Sequence, residues 1–196
     1  MQNSPFNPGY YTEDELQGMG FKAVGKNVQI AKNNTIIGLD KISIGDNVRI
    51  DGYCIFVSSG EGSIDIGSYI HIGAWCYLSA SEKIRLSDFS GLSQNVKIYT
   101  ANDDYSGQTL TNPTVPREYT NVMRGEVSIG KHAIVGSGSV ILPNTTIGEG
   151  ASIGALSLVT KDMDDWGVYF GSPAKKLKNR SKKLLELEQQ LLNQND

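Results

Sequence analysis

The sequence predicts a mainly β fold in which short strands wind into a parallel β-helix of hexapeptide repeats. Its clearest signal is an aliphatic residue at every sixth position, namely Ile129, Val135, Ile141, Ile147, Ile153 and Val159. The same step recurs upstream in four triplets, which are Val24, Ile30 and Ile36; Ile44, Ile50 and Phe56; Ile66, Ile72 and Leu78; and Leu86, Leu92 and Ile98. A period of six matches neither an α-helix nor a simple strand, but it is typical of a solenoid with three short strands in each triangular turn.

Glycine and other small residues supply two further observations. The chain has 22 glycines spread along its length, and four directly follow an aliphatic of the series: Gly130, Gly136, Gly148 and Gly154. Such spacing indicates one tight backbone corner that is repeated. Four residues after many of the aliphatics stands a small residue: Cys54, Cys76, Ser90, Ala133, Ser139, Thr145, Ala151 or Ser157. These positions are predicted to point inward, so both cysteines are interpreted as buried, unreactive core thiols.

The repeat sets the organisation of the chain. Three hexapeptides, about 18 residues, make one coil, and the inward side chains of successive coils stack at a strand spacing of about 4.8 Å. We expect a single domain over residues 1–196, comprising an N-terminal segment at 1–21, a β-helix at 22–171 and a C-terminal helix at 172–196. The β-helix is interrupted at about 99–126 by a predicted arm, and such an insertion is where functional residues are expected.

Helices are predicted at both ends of the solenoid. Thr12 and Glu15 form a capping-box pattern before a short amphipathic stretch. After the Ser172-Pro173 break, residues 174–192 carry leucines among lysine, glutamate and glutamine, which predicts an amphipathic helix. Terminal helices commonly cover the open ends of a solenoid.

Composition argues against several classes of function. The net charge is −3, so the chain lacks the basic excess of a nucleic-acid binder. Residues 1–10 show no basic leader, and no window reaches the roughly 18 apolar residues that a membrane span needs, so we expect a cytoplasmic protein without a membrane partner.

The two histidines, His71 and His132, are expected at the surface. They are too few for the three-histidine zinc site of a trimeric hexapeptide carbonic anhydrase, and no metal is predicted.

Three motifs in the last coils carry a resemblance to a known family. They read VSIGKHAIVGSGSV from Val127, LVTKD from Leu158 and GSPAK from Gly171. The series resembles that of the hexapeptide acyltransferases of the maltose and galactoside acetyltransferase type. The resemblance implies a left-handed β-helix, a homotrimer with active sites at subunit interfaces, and acyl-CoA, with acetyl-CoA favoured, as a co-substrate rather than a permanently bound cofactor.

The same resemblance implies a set of CoA contacts. They carry over to Ser137, Ala155, Thr160, Lys161, Lys175 and Lys178. The first two would line the pantetheine through their backbone. Lysines near the CoA phosphates agree with the physics, because these phosphates need cations beside hydrogen-bond donors.

The arm departs from that family where it begins. O-acetyltransferases carry a sequence such as IYTATH there, whose histidine takes the proton from an acceptor hydroxyl, whereas residues 98–103 read IYTAND and place Asp103 at the histidine position. A sugar hydroxyl has a very high pKa and needs a base poised near neutrality. An unprotonated amine attacks a thioester unaided, and an aspartate suffices to accept a proton from the cationic adduct. The sequence therefore favours N-acylation over O-acylation.

Asp103, together with Ser93 on the coil before the arm, narrows the resemblance. The pattern resembles the N-acyltransferases that act on dTDP-linked 4-amino-4,6-dideoxy sugars in the biosynthesis of surface polysaccharides such as lipopolysaccharide. The resemblance implies that Asp103 is the base or orients the amine, and that Ser93 binds the amine or the developing oxyanion. The amine would attack the thioester directly, without an acyl-enzyme.

The sequence leaves alternatives open. One is an O-acetyltransferase acting on a sugar hydroxyl, and another is a non-catalytic structural trimer. The acyl chain, the sugar and the nucleotide are not fixed, and Asp104 is a rival to Asp103 as the working carboxylate. Arg117, Tyr119 and Arg124 on the arm are candidates for contacts with the phosphates or base of a nucleotide sugar.

Overall fold

The computed structural model describes residues 5–193, and within that range three sheets form the walls of a solenoid. Strands are numbered along the chain. Sheet 1 contains β1 (Ala23–Val24), β4 (Ile42–Ile44), β7 (Ser63–Ile66), β10 (Lys83–Leu86), β15 (Val127–Ile129) and β18 (Thr145–Ile147). Sheet 2 contains β2 (Gln29–Ile30), β5 (Arg49–Ile50), β8 (His71–Ile72), β11 (Gly91–Leu92), β16 (Ile134–Val135), β19 (Ser152–Ile153), β21 (Gly167–Phe170) and β22 (Lys175–Asn179). Sheet 3 contains β3 (Thr35–Ile37), β6 (Ile55–Ser58), β9 (Tyr77–Ala80), β12 (Lys97–Tyr99), β17 (Val140–Ile141) and β20 (Leu158–Val159).

The aliphatic residues of the six-residue series form the core of this solenoid. In sheet 1 they pair in one column of parallel neighbours: Val24, Ile44, Ile66, Leu86, Ile129 and Ile147. Corresponding columns run from Ile30 to Ile153 in sheet 2 and from Ile36 to Val159 in sheet 3. Most of these side chains are buried. The predicted β-helix of hexapeptide repeats is therefore confirmed.

The coils differ in length. Stacked aliphatics are 18 residues apart between Ile129 and Ile147, as the period predicts, but 20 apart between Val24 and Ile44. The coil between Val24 and Ile44 contains the 3₁₀-helix η1 (Leu39–Lys41), which accommodates the two extra residues at a corner. Corner insertions therefore change the coil length without disturbing the inward columns.

The small residues predicted to point inward are buried, and Cys54 and Cys76 are free thiols among them. The Cys76 Sγ donates to the carbonyl oxygen of Ser93 at 3.2 Å, and the Cys54 Sγ donates to that of Gly73 at 3.3 Å. The neighbouring Cys54 thiol and burial raise the pKa of Cys76, which agrees with an unreactive core thiol.

One corner, between sheets 1 and 2, is a column of residues with left-handed backbone. Its members have φ between 54° and 64°: Asn27, Asn47, Tyr69, Phe89, His132, Gly150 and Trp166. The ring of Phe89 stacks on Tyr69 at 4.6 Å and on His132 at 5.2 Å between centroids. His132 is consequently 7% exposed, so the expectation that it lies at the surface is wrong. His71 does lie at the surface, with 52% of its side chain exposed.

The predicted arm leaves the solenoid after β12 and returns at β15. Its base is an antiparallel pair of strands, β13 (Ala101–Asn102) and β14 (Met123–Arg124), and it contains the 3₁₀-helix η2 (Arg117–Tyr119). The arm therefore projects from the end of a sheet 3 strand.

The first end of the solenoid is capped as the sequence predicts. Helix α1 (Glu13–Gln17) begins with a capping box in which Thr12 accepts from the Glu15 backbone and the Glu15 carboxylate accepts from the Thr12 N–H. Its Leu16 is buried against the core. Residues 1–4 of the predicted N-terminal segment lie outside the described residues.

The second end differs from the prediction. Residues Lys175–Asn179 are not helical but form β22, which pairs antiparallel with β21, and the C-terminal helix α2 spans Leu184–Asn193. The edge of β21 would otherwise expose unpaired backbone groups, and β22 satisfies them. Residues 194–196 lie outside the described residues. Within the described part of the chain, no helix is long and apolar enough to cross a bilayer.

Candidate functional site

Ser93 lies at the outer face of sheet 2, directly after β11. Its N–H donates to the carbonyl of Val135 at 2.9 Å on the following coil, and its carbonyl accepts from the buried Cys76 thiol. Two neighbouring coils therefore fix its backbone. The Ser93 side chain lines a groove of about 500 Å³ between sheet 2 and helix α2.

Ser137 and Ala155 lie at the corner that follows Ser93, between sheets 2 and 3. The Ser137 hydroxyl donates to the Gln94 side-chain oxygen at 3.2 Å, and the N–H of Leu156 donates to the Ser137 carbonyl at 2.9 Å. Gly136 is required here because a Cβ would lie 2.5 Å from the Ala155 nitrogen. The structure thus places Ser93 and the two predicted pantetheine contacts on one corner, in three successive coils.

Gln94 is a residue that the sequence did not single out. It links the coil of Ser93 to that of Ser137 through its side chain, and its carbonyl accepts from the Gly138 N–H at 3.0 Å. The sequence could have indicated Gln94 by its position: it directly follows Ser93 at a corner, and side chains at the corners of successive coils stack on one another.

Asp103 lies on the arm and lines a concavity of about 1000 Å³ between the arm and the outer face of sheet 3. The same concavity is lined by Tyr77, Tyr99, Arg117 and Arg124. Burial raises the pKa of Tyr99, which keeps its hydroxyl neutral and able to donate. The concavity thus combines cationic, aromatic and carboxylate groups.

Asp104 is used by the arm itself. Its carboxylate accepts from the Ser106 N–H at 2.8 Å, the Ser106 hydroxyl at 2.9 Å and the Thr109 hydroxyl at 3.1 Å. The hydrogen bond from the Ser106 backbone is the main cause that lowers the pKa of Asp104. A carboxylate committed to a turn is a poor candidate for proton transfer, which leaves Asp103 as the better choice of the two.

Within one chain, the structure does not bring Ser93 and Asp103 together. Ser93 lines the groove on sheet 2, whereas Asp103 lines the concavity on sheet 3, and the two depressions share no lining residue. Of the other arm candidates, Arg117 and Arg124 face the concavity, while Tyr119 is 58% exposed and does not line it.

The remaining predicted CoA contacts are exposed. Thr160 and Lys161 follow β20 on the last coil, and Lys175 and Lys178 lie on β22 rather than on a helix. Lysines on the last coil give this end of the solenoid cations that an anionic ligand needs. Among residues 5–193, no group of three or more His, Cys, Asp or Glu side chains is placed to hold a metal ion.

A second ionisable cluster lies on sheet 2 near Ser93. His71 contacts the Asp51 carboxylate at 2.9 Å, and the Arg49 Nε donates to it at 2.8 Å. Burial opposes the ionisation of Asp51, but hydrogen bonds from His71 and Arg49 outweigh it and hold the pKa of Asp51 below its ordinary value. His71 lines the groove together with Ser93.

Comparison with known proteins shows what this architecture resembles. Residues 126–161 match the family model described as bacterial transferase hexapeptide (six repeats). The chain is 51% identical over 179 residues to a dTDP-4-amino-4,6-dideoxy-D-glucose acyltransferase of Escherichia coli, covering 91% of this chain and 93% of that one.

Solved structures of AntD, an N-acyltransferase from Bacillus cereus, resemble nearly the whole chain. A serine variant in complex with dTDP and coenzyme A matches with a TM-score of 0.92 at 43% identity, covering 96% of this chain and 99% of that chain. AntD in complex with dTDP and 3-hydroxybutyryl-CoA matches with a TM-score of 0.90 at 43% identity, covering 95% of this chain and 97% of that chain.

Proposed function

Because the chain belongs to the hexapeptide-repeat acyltransferases, in the group that N-acylates dTDP-linked 4-amino-4,6-dideoxy sugars, we propose that it transfers an acyl group from acyl-CoA to the amine of such a sugar. The observation that carries this proposal is the 51% identity to the Escherichia coli enzyme over 91% of the chain. The acceptor class agrees with Asp103 at the position where O-acetyltransferases carry a histidine. The whole of residues 1–196 acts as one acyltransferase domain, and its pathway is surface polysaccharide biosynthesis in the cytoplasm.

Asp103 and Ser93 divide the chemistry between them. The sugar nitrogen attacks the thioester carbonyl, and a C–N bond forms while the carbonyl oxygen becomes an oxyanion. Ser93 donates a hydrogen bond to that oxyanion, and Asp103 orients the amine and accepts its proton. The C–S bond then breaks, and CoA leaves as a thiolate that takes up a proton.

The known AntD structures support the choice of these two residues. They include variants at one serine and at one aspartate that are ten positions apart in that protein. Ser93 and Asp103 are likewise ten positions apart in this chain.

The acyl-CoA lies along the corner that carries Ser93. The backbone at Ser137 and Ala155 lines the pantetheine. Thr160 and Lys161 follow it, and Lys175 and Lys178 neutralise the phosphates as point charges. The solvent-exposed positions of these lysines support this placement.

The active site is completed by a second copy of the chain in a homotrimer. The separation of Ser93 and Asp103 supports this proposal, because each lies in its own depression on a different wall of the solenoid. An arm that reaches over sheet 2 of the neighbouring copy would bring Asp103 to Ser93.

The sugar nucleotide enters the concavity beneath the arm. Arg117 and Arg124 suit its pyrophosphate, because a guanidinium binds phosphate oxygens in pairs. Tyr77 and Tyr99, whose ring centroids are 5.6 Å apart, offer aromatic surface to the sugar or the base.

A coupled assay tests the function. The chain is mixed with acetyl-CoA and a panel of acceptors, and thiol release is followed. Half of the panel are dTDP-linked 4-amino-4,6-dideoxy sugars, and the other half are the matched sugars with a hydroxyl in place of the amine. We expect turnover with the amino sugars alone. Turnover confined to the hydroxylated sugars would establish the O-acetyltransferase alternative instead.

A further inference from the structure

We propose that the groove between sheet 2 and α2 binds the acyl chain of the donor and selects chains longer than acetyl. The inference rests on the proposed function, because it assumes that the thioester carbonyl lies at Ser93. The groove begins at Ser93 and Gln94 and extends along the outer face of sheet 2 under the helix. A chain attached to a carbonyl at Ser93 therefore has this groove as its continuation.

Both walls of the groove carry aliphatic side chains, beside polar groups such as His71, Arg180 and Glu188. Its floor includes Ile134 of β16, and its roof includes Leu184 and Leu187 of α2. Ile134 is 43% exposed and Leu187 is 59% exposed, so aliphatic surface from both walls remains available. Burial of aliphatic surface favours a hydrocarbon ligand, by a factor of roughly four in affinity for each methylene.

Gly91 keeps the floor of the groove open. A Cβ at Gly91 would have only the His71 carbonyl oxygen within 4 Å, at 3.6 Å, which is an ordinary contact. Gly73 and Gly136 differ, because a Cβ at either would lie within 3 Å of the backbone of the next coil. The backbone thus tolerates a side chain at Gly91. The absence of a side chain at this position leaves the volume of the groove above it open.

The roof is held in place by ionic contacts. The Glu188 carboxylate contacts the Lys131 Nζ at 2.5 Å and the His132 Nε2 at 2.8 Å, and both the Glu188 and the His132 side chains are less than 10% exposed. The Arg180 guanidinium, just before α2, donates to the carbonyls of His132 and Gly150 at 2.8 and 3.0 Å. The groove is therefore preformed, as small-molecule sites usually are.

Donor preference tests the proposal directly. Steady-state kinetics are measured with acetyl-, butyryl-, hexanoyl- and octanoyl-CoA and one dTDP-linked amino sugar, for the native chain and for Gly91→Leu. We expect kcat/KM of the native chain to rise with chain length, by roughly fourfold per methylene while the chain still fits. In Gly91→Leu the hexanoyl-to-acetyl ratio of kcat/KM should fall at least tenfold.

Two controls keep the result specific. Thr35→Leu adds the same side chain at an exposed outward position of β3, far along the chain from the groove, and should leave the ratio unchanged. Leu187→Ala should shift the preferred donor to a longer chain, whereas Leu192→Ala, on the same helix but not lining the groove, should not.

Several outcomes would overturn the inference. One is an unchanged donor ratio in both Gly91→Leu and Leu187→Ala. Another is a change of oligomeric mass in these variants, which would mean that Gly91 and Leu187 pack against a second copy of the chain and leave no space for an acyl chain between them. Absence of turnover with every donor in the native chain is a distinct result: it removes the proposed function, and the groove assignment falls with it.

Discussion

The groove on sheet 2 and the concavity on sheet 3 are built by different means. The groove carries Ser93 on a wall of stacked parallel strands, so the serine is fixed by its neighbours at 2.9 and 3.2 Å. The concavity depends on an insertion of one hairpin, which carries Asp103 away from the repeats. In the proposed function, the repeat thus supplies a rigid thioester side, and the insertion supplies the part that distinguishes one acceptor from another.

The largest expected effect on activity comes from Asp103, on the inserted arm. Asp103→Asn keeps the shape of the side chain but removes its ability to accept a proton, and we expect kcat/KM for the amino sugar to fall by about 10²–10⁴-fold. Asp104→Asn is the matched control, because that carboxylate caps the turn at Ser106 and Thr109, and a few-fold loss is expected. Steady-state kinetics with both variants decide the matter, and equal losses would assign Asp103 a structural role.

The next largest effect on activity comes from Ser93, on the repeating wall of sheet 2. Ser93→Ala removes one donor to the oxyanion, and we expect kcat to fall by about 10²–10³-fold with little change in the KM for acyl-CoA. Ser152→Ala, on the same wall but outside the groove, serves as the control and should change kcat less than twofold. A rise in KM without a fall in kcat would show that Ser93 binds the donor and does not act on the transition state.

A mixture of the two inactive variants tests whether the two sides come from different copies. If each site takes Ser93 from one copy and Asp103 from the next, random exchange of equal amounts of Ser93→Ala and Asp103→Asn chains leaves about a quarter of the sites intact. We expect activity to return to about that fraction after the chains are unfolded together and refolded. Continued inactivity of a mixture with native oligomeric mass would place both residues of a site in one chain.

The same contrast explains what the sequence could and could not predict. The columns that contain Ile129 and Ile98 were predictable, because every coil presents the same inward environment and the period appears in the sequence. His132 was not, since its burial depends on rings at Tyr69 and Phe89 that stack across coils of unequal length. The six-residue pattern of aliphatic residues therefore does not predict a column of stacked rings at a corner.

The end of the chain and the site show the same limit. The strand at Lys175–Asn179 forms because β21 offers it a free edge, which a helical pattern of leucines does not reveal. The corner shared by Ser93, Ser137 and Ala155 followed from coil register, so it was within reach of the sequence. The separation of Ser93 and Asp103 was not, because it depends on the path of the arm.

The smallest expected effect concerns the roof of the groove. Burial opposes the ionisation of Glu188, but hydrogen bonds from Lys131 and His132 outweigh it and hold the pKa of Glu188 below the ordinary glutamate value. A carboxylate of lowered pKa stabilises the fold above the pKa of the unfolded chain, and this stabilisation is lost as the pH falls through the lowered value. Glu188→Gln should therefore speed amide hydrogen exchange in α2 a few-fold at neutral pH. Glu186→Gln, on the exposed side of the same helix, should not.

That difference has a defined dependence on pH. Once exchange is corrected for its intrinsic rate, the native chain and Glu188→Gln should converge as the pH falls through the lowered pKa of Glu188, because the native carboxylate is then protonated and the contacts to Lys131 and His132 weaken. Exchange in β11, which the repeats hold, should be the same in both chains across this range. The absence of any difference in α2 at neutral pH would mean that the helix is held by packing of its leucines, and a difference that persists unchanged at low pH would mean that the charge of Glu188 is not its cause; either result would disprove the ionic anchor of the roof.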